Sequence, residues 1–314
     1  MSAPSPPSAP SSAASPSRGP LASAVTVVVT TSPIRCNPST AVIEESLASL
    51  WHYAPDLAGC EVVVICDGYK VHEGEGADGR KARLRGGICG PPHAERYELY
   101  KARLFAAARG LVPGSPLDGA EVRALAVHHG FGHALRRGIE LATAPLLVVL
   151  QHDRTFCRPC PLKRVADAMG ADPRLKYVGL PTTSTHVSRY VPYVRGKYGL
   201  GVEAWALERG GLRFVPLAQW YDAVHVVWRE HYARLVYGRD RVVNLRRSGF
   251  VEDKLGALQL AAVLEGGEEA HGLFGTYVLD DGGAEPMCGH LDGHDSRVAD
   301  PSNPKLSFAG RHTG

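Results

Sequence analysis

The sequence predicts an α/β fold: a doubly wound, mostly parallel central sheet with helices on both faces, Rossmann-like, continued by a mixed-sheet C-terminal elaboration. Three observations carry this. Short β-branched runs, Val25–Thr30, Glu61–Cys66 and Leu146–Leu150, have the continuous apolar character of strands covered on both faces. Between them lie segments with helical apolar spacing, which is the alternation of a parallel sheet. The runs also end in polar residues or Gly, as strands do where they leave the sheet.

Taken in order, Val25–Thr30 is the first strand, followed by the loop Ser32–Pro38. Ile43, Leu47, Leu50, Trp51 and Ala54 then recur at helical spacing, with Ser39 or Thr40 as cap. Glu61–Cys66 completes a βαβ unit and runs into Asp67-Gly68. Tyr69–Pro92, rich in Gly and charge, reads as a loop, His93–Arg109 as a helix, and Glu121–Val127 as a third strand. Gly132–Ala142 is a helix, and Leu146–Leu150 is the fourth strand, which delivers Gln151-His152-Asp153-Arg154. Beyond it, Lys176–Leu180 and Leu212–Pro216 are short strands, while Asp222–Val236 and Glu252–Leu264 show helical periodicity. No linker separates the halves, so residues 23–296 are expected to form one domain, flanked by a disordered Ser/Pro/Ala-rich tail at 1–22 and a tail at 297–314. The segment Tyr190–Tyr198 reads as a flap or an exposed loop.

With 314 residues, 44% hydrophobic and 21% charged, the chain is able to bury one large core. A net charge of +3, spread without basic runs, gives no reason to expect a nucleic-acid partner. No apolar stretch approaches the roughly 20 residues that span a bilayer. Seven scattered cysteines fit a reduced compartment, which points to the cytoplasm, although a Golgi-associated or organellar setting stays open. Cys157-Arg-Pro-Cys160 has CxxC spacing but lacks the second pair that a four-cysteine zinc site needs, so packing thiols are the plainer reading.

Acids and histidines gather where strands end or helices begin: Asp67, Asp153, Glu252-Asp253 and His290-Leu-Asp-Gly-His294-Asp295. In open α/β sheets ligands bind outside the carboxyl ends of the strands. A divalent cation holding a diphosphate needs only one or two protein ligands. Each acid also has a plain structural use. Asp67 before Gly68 is a common turn pair, Asp153 suits a turn or cap, and Glu252-Asp253 complements a helix dipole.

Thr31-Ser-Pro-Ile34 with Pro38-Ser39, then Cys66-Asp67-Gly68, resemble the first half of a GT-A glycosyltransferase of the family-2-like kind, in the nucleotide-diphospho-sugar transferase superfamily. Gln151-His-Asp153 is similar to the Glu-His-Asp that replaces the DxD motif in one branch. Gln219-Trp220, Phe250-Val-Glu-Asp253 and His290-Leu-Asp-Gly293 resemble that branch's further elements in the same order, over roughly Val25 to Gly293. The resemblance implies a nucleotide-diphosphate sugar donor, a glycan or other hydroxyl acceptor, and Mn²⁺ or Mg²⁺. It implies that Thr31, Ser32, Pro33 and Asp67 meet the nucleoside, and that His152 and Trp220 lie along the donor or acceptor; apart from the resemblance, Arg136 and Arg137 are expected within reach of a diphosphate from the Gly132–Ala142 helix. Asp153 and His290 would hold the metal, and Asp253, helped by Glu252, would be the base of an inverting displacement. Two departures stand out. Gln151 replaces the motif's first acid, and Arg154 sets a guanidinium beside the cation.

Two other functions stay open on sequence. A sugar-nucleotide or glycan binding module without catalysis is suggested by Gln151. Sugar-phosphate nucleotidyl transfer would call for a Gly-rich loop after the first strand, which Thr31-Ser-Pro-Ile-Arg-Cys does not offer.

Overall fold

The computed structural model describes residues 18–72, 84–238, 241–242, 244 and 249–291. Expectations for 1–17, for the 297–314 tail, and for His294 and Asp295 therefore lie outside the described residues. Residues 18–22, assigned on sequence to the tail, are packed instead. Leu21 is buried, its amide donates to the Asp56 carbonyl and its own carbonyl accepts from the Cys60 thiol, so the packed chain begins ahead of Ser23.

Strands β1 (Val25–Thr31), β2 (Glu61–Cys66), β5 (Glu121–Ala124) and β6 (Leu146–Gln151) pair in parallel in the order β5-β2-β1-β6. A two-stranded ribbon of β3 (Lys70–Val71) and β4 (Ile88–Cys89) lies between β2 and β5 in sequence. The sheet continues as β11 (His225–Trp228), β8 (Tyr177–Gly179), β12 (Thr276–Asp280), β10 (Leu212–Pro216) and β9 (Leu207–Arg209). Here β11 runs antiparallel to both β6 and β8, whereas β8 and β12 are parallel. One nine-stranded mixed sheet results, parallel in its first half.

Alternation along β1 explains how both faces are covered. Val25, Val27 and Val29 join a core with Ile43, Leu47 and Leu50 of α1 (Ala41–Tyr53), Tyr97, Tyr100 and Leu104 of α2 (Pro91–Ala108), and Val165 of α4 (Leu162–Ala171). Val28 points the other way, into a core with Leu135 and Ile139 of α3 (Phe131–Leu141), Tyr190 of α5 (Val187–Tyr198), Tyr232 of α6 (Arg229–Tyr232) and Phe274 of α7 (Ala257–Phe274). Helix α3 can press onto β1 because position 138 has no side chain. A Cβ on Gly138 would stand 2.4 Å from Val28 Cγ1.

Two expectations fail in the second half and one in the first. Asp222–Val236 is not one helix. Its His225–Trp228 portion is strand β11, wedged between β6 and β8, and only Arg229–Tyr232 is α-helical, followed by a π turn over Ala233–Tyr237. Tertiary pairing on both sides outweighs the weak helical spacing. Tyr190–Tyr198 is neither flap nor loop but lies in α5, whose Tyr190 and Val194 are buried. β5 stops at Ala124 rather than Val127, because the following backbone turns in to reach Asp67. Strands β7 (Arg154–Phe156) and β13 (Cys288–His290) form a small antiparallel pair that gives no signal in the sequence. Among the described residues no helix is long and apolar enough to cross a membrane, and the seven cysteines are free thiols. Burial pushes the Cys160 thiol far above its usual range, as suits packing.

Trp220 illustrates the core's dependence on aromatic packing. It is fully buried, with its ring centroid 4.6 Å from that of Tyr177 and 5.0 Å from that of Tyr232. Trp220→Ala is expected to destabilise the fold by about 3–5 kcal/mol, read from chemical denaturation.

Candidate active site

A cleft of about 630 Å³ opens over the carboxyl ends of β1, β2, β6 and β8. Its walls come from several separate stretches of chain, and each expected residue has a definite place or is displaced.

The loop after β1 supplies Thr31, Ser32 and Pro33 to one wall. The Thr31 hydroxyl meets Tyr100 Oη at 2.9 Å, so α2 holds the strand end. Asp67 is also in the wall, but its carboxylate is already engaged. Oδ1 accepts from the amides of Gly68 and His129, each at 2.9 Å, and Oδ2 from the amide of Gly130 at 2.8 Å, with His128 Nδ1 another 2.9 Å away. Asp67 thus ties the β2 end to the loop that enters α3. Gly68 allows this approach, since a Cβ there would stand 2.2 Å from the carbonyl carbon of Val127. Gly130, at φ 82°, turns the chain into the helix.

The β6–β7 turn carries Gln151-His152-Asp153-Arg154, where the sequence leads one to expect a metal ligand. α1 anchors it: the Ser46 hydroxyl donates to the Arg154 carbonyl and Ser49 Oγ accepts from the Phe156 amide. Pairing of β7 with β13 sets His290 opposite Arg154, and the Leu291 amide donates to the Asp153 carbonyl at 2.7 Å. As a result His290 Nε2 lies 3.1 Å from Asp153 Oδ2. Burial alone would raise the Asp153 carboxyl. The hydrogen bond from His290 and the positive surroundings of His152, His290 and Arg154 outweigh it and hold Asp153 down at about 2. Its other oxygen, Oδ1, is buried without a hydrogen-bond partner, as is Arg154 Nε. His152 is buried in the same wall with Nδ1 3.3 Å from the Thr30 carbonyl. Among the described residues no group of three or more His, Cys, Asp or Glu is arranged around a metal position.

The same cleft is lined by Glu252 and Asp253, at a π turn that leads into α7. Asp253 is exposed, and its Oδ2 accepts from the Phe250 amide at 3.3 Å. Glu252 also lines the cleft, and its Oε2 accepts from the Asp222 amide at 2.9 Å. Phe250 stacks on Phe131 at 5.3 Å, closing this end of the cleft.

Two expected residues are not in the cleft. Trp220 lies in the core, and its neighbours Tyr221 and Asp222 line the site instead. Arg136 lies on the solvent side of α3, where its Nε donates to Glu140 at 2.9 Å, and Arg137 shares that carboxylate, so neither lines the cleft. The helix buries its Ala134, Leu135, Gly138 and Ile139 face, which rotates positions 136 and 137 outward.

Sequence reasoning misses Asp222. Its only signal there is an acid shortly before the Val224–Val227 run, obscured by reading that run as helix. Burial pushes Asp222 up to about 7, with the Glu252 charge adding to the push and the Glu252 amide opposing it. An unfolded aspartate loses its proton near pH 4, so between there and about 7 the folded chain binds the extra proton. The contribution of Asp222 to stability is fully present below that window and is lost as pH rises through it. Urea unfolding at about pH 5 and about pH 8 should show wild type losing roughly 2–3 kcal/mol relative to Asp222→Asn.

No protein-family profile matches the sequence, and no curated protein matches it. Among solved structures the chain is similar to a mannosyltransferase from Pyrobaculum calidifontis in complex with GDP-Man and Mn²⁺, at 18% identity and TM-score 0.39, over 68% of this chain and 46% of that one. It is similar to glucosyl-3-phosphoglycerate synthase from Mycobacterium tuberculosis in complex with Mn²⁺, UDP and glucosyl-3-phosphoglycerate, at 14% identity and TM-score 0.41, over 89% and 79% of the two chains. It is also similar to S. aureus TarS in complex with UDP-GlcNAc, at 14% identity and TM-score 0.46, over 84% and 57%. The chain thus spans less than half of the mannosyltransferase and under two thirds of the TarS chain.

Proposed function

We propose that this chain is a glycosyltransferase that moves a sugar from a nucleoside-diphosphate donor to an acceptor hydroxyl, with metal assistance and inversion. One observation carries the reading: a buried carboxylate oxygen without a partner, Asp153 Oδ1, lies in the wall of a cleft that is also lined by the exposed Asp253. A buried, ionised oxygen is costly unless a cation or donor meets it. Asp153 with His290 makes the sparse oxygen-and-nitrogen set that suits a hard divalent ion sharing its coordination with phosphates and water.

Mn²⁺ or Mg²⁺ held by Asp153 and His290 would supply neutralisation of the charge that develops on the departing diphosphate. The chain's own residues supply the rest. Arg154, beside Asp153, offers a second positive group for phosphate oxygens, and its planar fork suits them. The Thr31–Pro33 loop takes the nucleoside over the β1 end. Asp253 takes the proton from the acceptor hydroxyl. Attack from the face opposite the leaving group then inverts the anomeric centre. Asp67 and Glu252 act through structure, the first fixing the loop into α3 and the second the turn that carries Asp253.

The test is nucleoside diphosphate release from UDP-glucose, UDP-N-acetylglucosamine and GDP-mannose with and without Mn²⁺. Metal-dependent release from one of these donors is expected. Donor-dependent thermal stabilisation without release would make the chain a binding module and overturn the enzymatic reading.

A further inference from the structure

Gln151 stands where the metal motif of the resembling branch has an acid, and its side chain does what an ionised acid cannot. Its Nε2 donates to the backbone carbonyl of Asp222 at 3.2 Å. A carboxylate there would set oxygen against oxygen, because ionised Glu has acceptors only.

Asp222 is fixed on its remaining sides. Its Oδ2 accepts from the Glu252 amide at 3.0 Å while its own amide donates to Glu252 Oε2 at 2.9 Å. Its Oδ1 accepts the indole N–H of Trp220 at 3.2 Å, and that ring is locked among Tyr177, His225 and Tyr232. The residue at the head of the 252–256 turn, Val251, gives no side-chain cap. Asp222 supplies that cap from another segment, and Glu252 returns the bond: the reciprocal exchange of a capping box, made between two distant stretches of chain.

We propose that Gln151 and Asp222 form a strut joining the strand end that carries Asp153 to the turn that carries Asp253, with Asp222 the positioning residue for that carboxylate. This rests on the glycosyl-transfer reading above. Gln151 is then a structural link between the donor wall and the acceptor wall, not a metal ligand that has lost its charge. The reason for such a link is geometric: displacement of a reacting group by about 1 Å costs on the order of 10²-fold in rate.

The two accounts of Gln151 predict opposite results for the same variants. With the full chain, nucleoside diphosphate release is measured on the donor panel above against a Mn²⁺ titration, alongside amide hydrogen exchange over residues 249–256. If the strut exists, Gln151→Met and Gln151→Glu each lower kcat by about 10- to 100-fold. Donor KM and the half-saturating Mn²⁺ concentration stay within about twofold, since neither contact to the donor nor ligation is touched. The amide of Glu252 exchanges faster in both variants, and Asp222→Asn gives the same signature. Higher turnover or tighter Mn²⁺ dependence in Gln151→Glu overturns the proposal, and so does wild-type kcat and exchange in both Gln151 variants. If wild type releases no nucleoside diphosphate from any donor, the glycosyl-transfer reading fails. The exchange measurement then decides the strut by itself: faster exchange in the variants supports it and unchanged exchange overturns it.

Discussion

Asp153→Ala is expected to lower nucleoside diphosphate release by about 10²- to 10³-fold, the largest effect of any single substitution in the donor wall. The argument runs from charge. Burial pushes the Asp153 carboxyl up, but the hydrogen bond from His290 and the positive charges around it win and hold it down at about 2. It is therefore fully ionised across the working range of pH, with one oxygen on His290 and the other unpartnered. Alanine removes the carboxylate that His290 meets. Loss of release together with loss of Mn²⁺ dependence is the expected pair of results. Because Asp153 is ionised far below neutrality, the pH–rate profile of wild type should show no limb from it above about pH 4. The opposite assignment gives a different outcome. If Arg154 alone neutralised the diphosphate, Asp153→Ala would be mild, Arg154→Ala severe, and Mn²⁺ without effect.

Much of this wall was legible in the sequence because its supports are local. β1, β2 and β6 are Val-rich and covered on both faces, so they read as inner strands from composition alone, and the polar residues that end them fall at the cleft by the geometry of a parallel sheet. What could not be read depends on partners far away in the chain. Asp67 at a strand end looks available until three backbone amides from Gly68 and the His129-Gly130 loop are seen to occupy it. Arg136 has the right charge on the right helix and the wrong rotation, and only the buried face of α3 decides that. Trp220 and Asp222 exchange the roles that residue type suggests. The aromatic residue sinks into the core beside Tyr177 while the acid lines the cleft, because β11 enters the sheet between two strands that sequence periodicity does not pair with it. The His290 contact depends on a three-residue strand too short to leave a pattern.

Asp253→Asn is expected to reduce kcat by about 10²- to 10⁴-fold with donor affinity almost unchanged, the range over which a positioned general base contributes. The amide keeps the size of the side chain and an oxygen able to accept from the Phe250 amide, so the turn at 252–256 should hold its shape. What asparagine lacks is basicity. Asp253 is the exposed member of the pair, while the adjacent Glu252 has one oxygen tied to the Asp222 amide. Glu252→Gln should for that reason behave differently. It keeps an oxygen for the Asp222 amide and removes only charge, and a loss below about tenfold is expected, by way of positioning rather than proton transfer. Isothermal titration of a nucleoside diphosphate with Mn²⁺ separates binding from turnover in both variants. If Asp253→Asn turns over at the wild-type rate while Glu252→Gln is dead, the proton acceptor is Glu252. The reciprocal bonds between Asp222 and Glu252 would then have to open during the reaction.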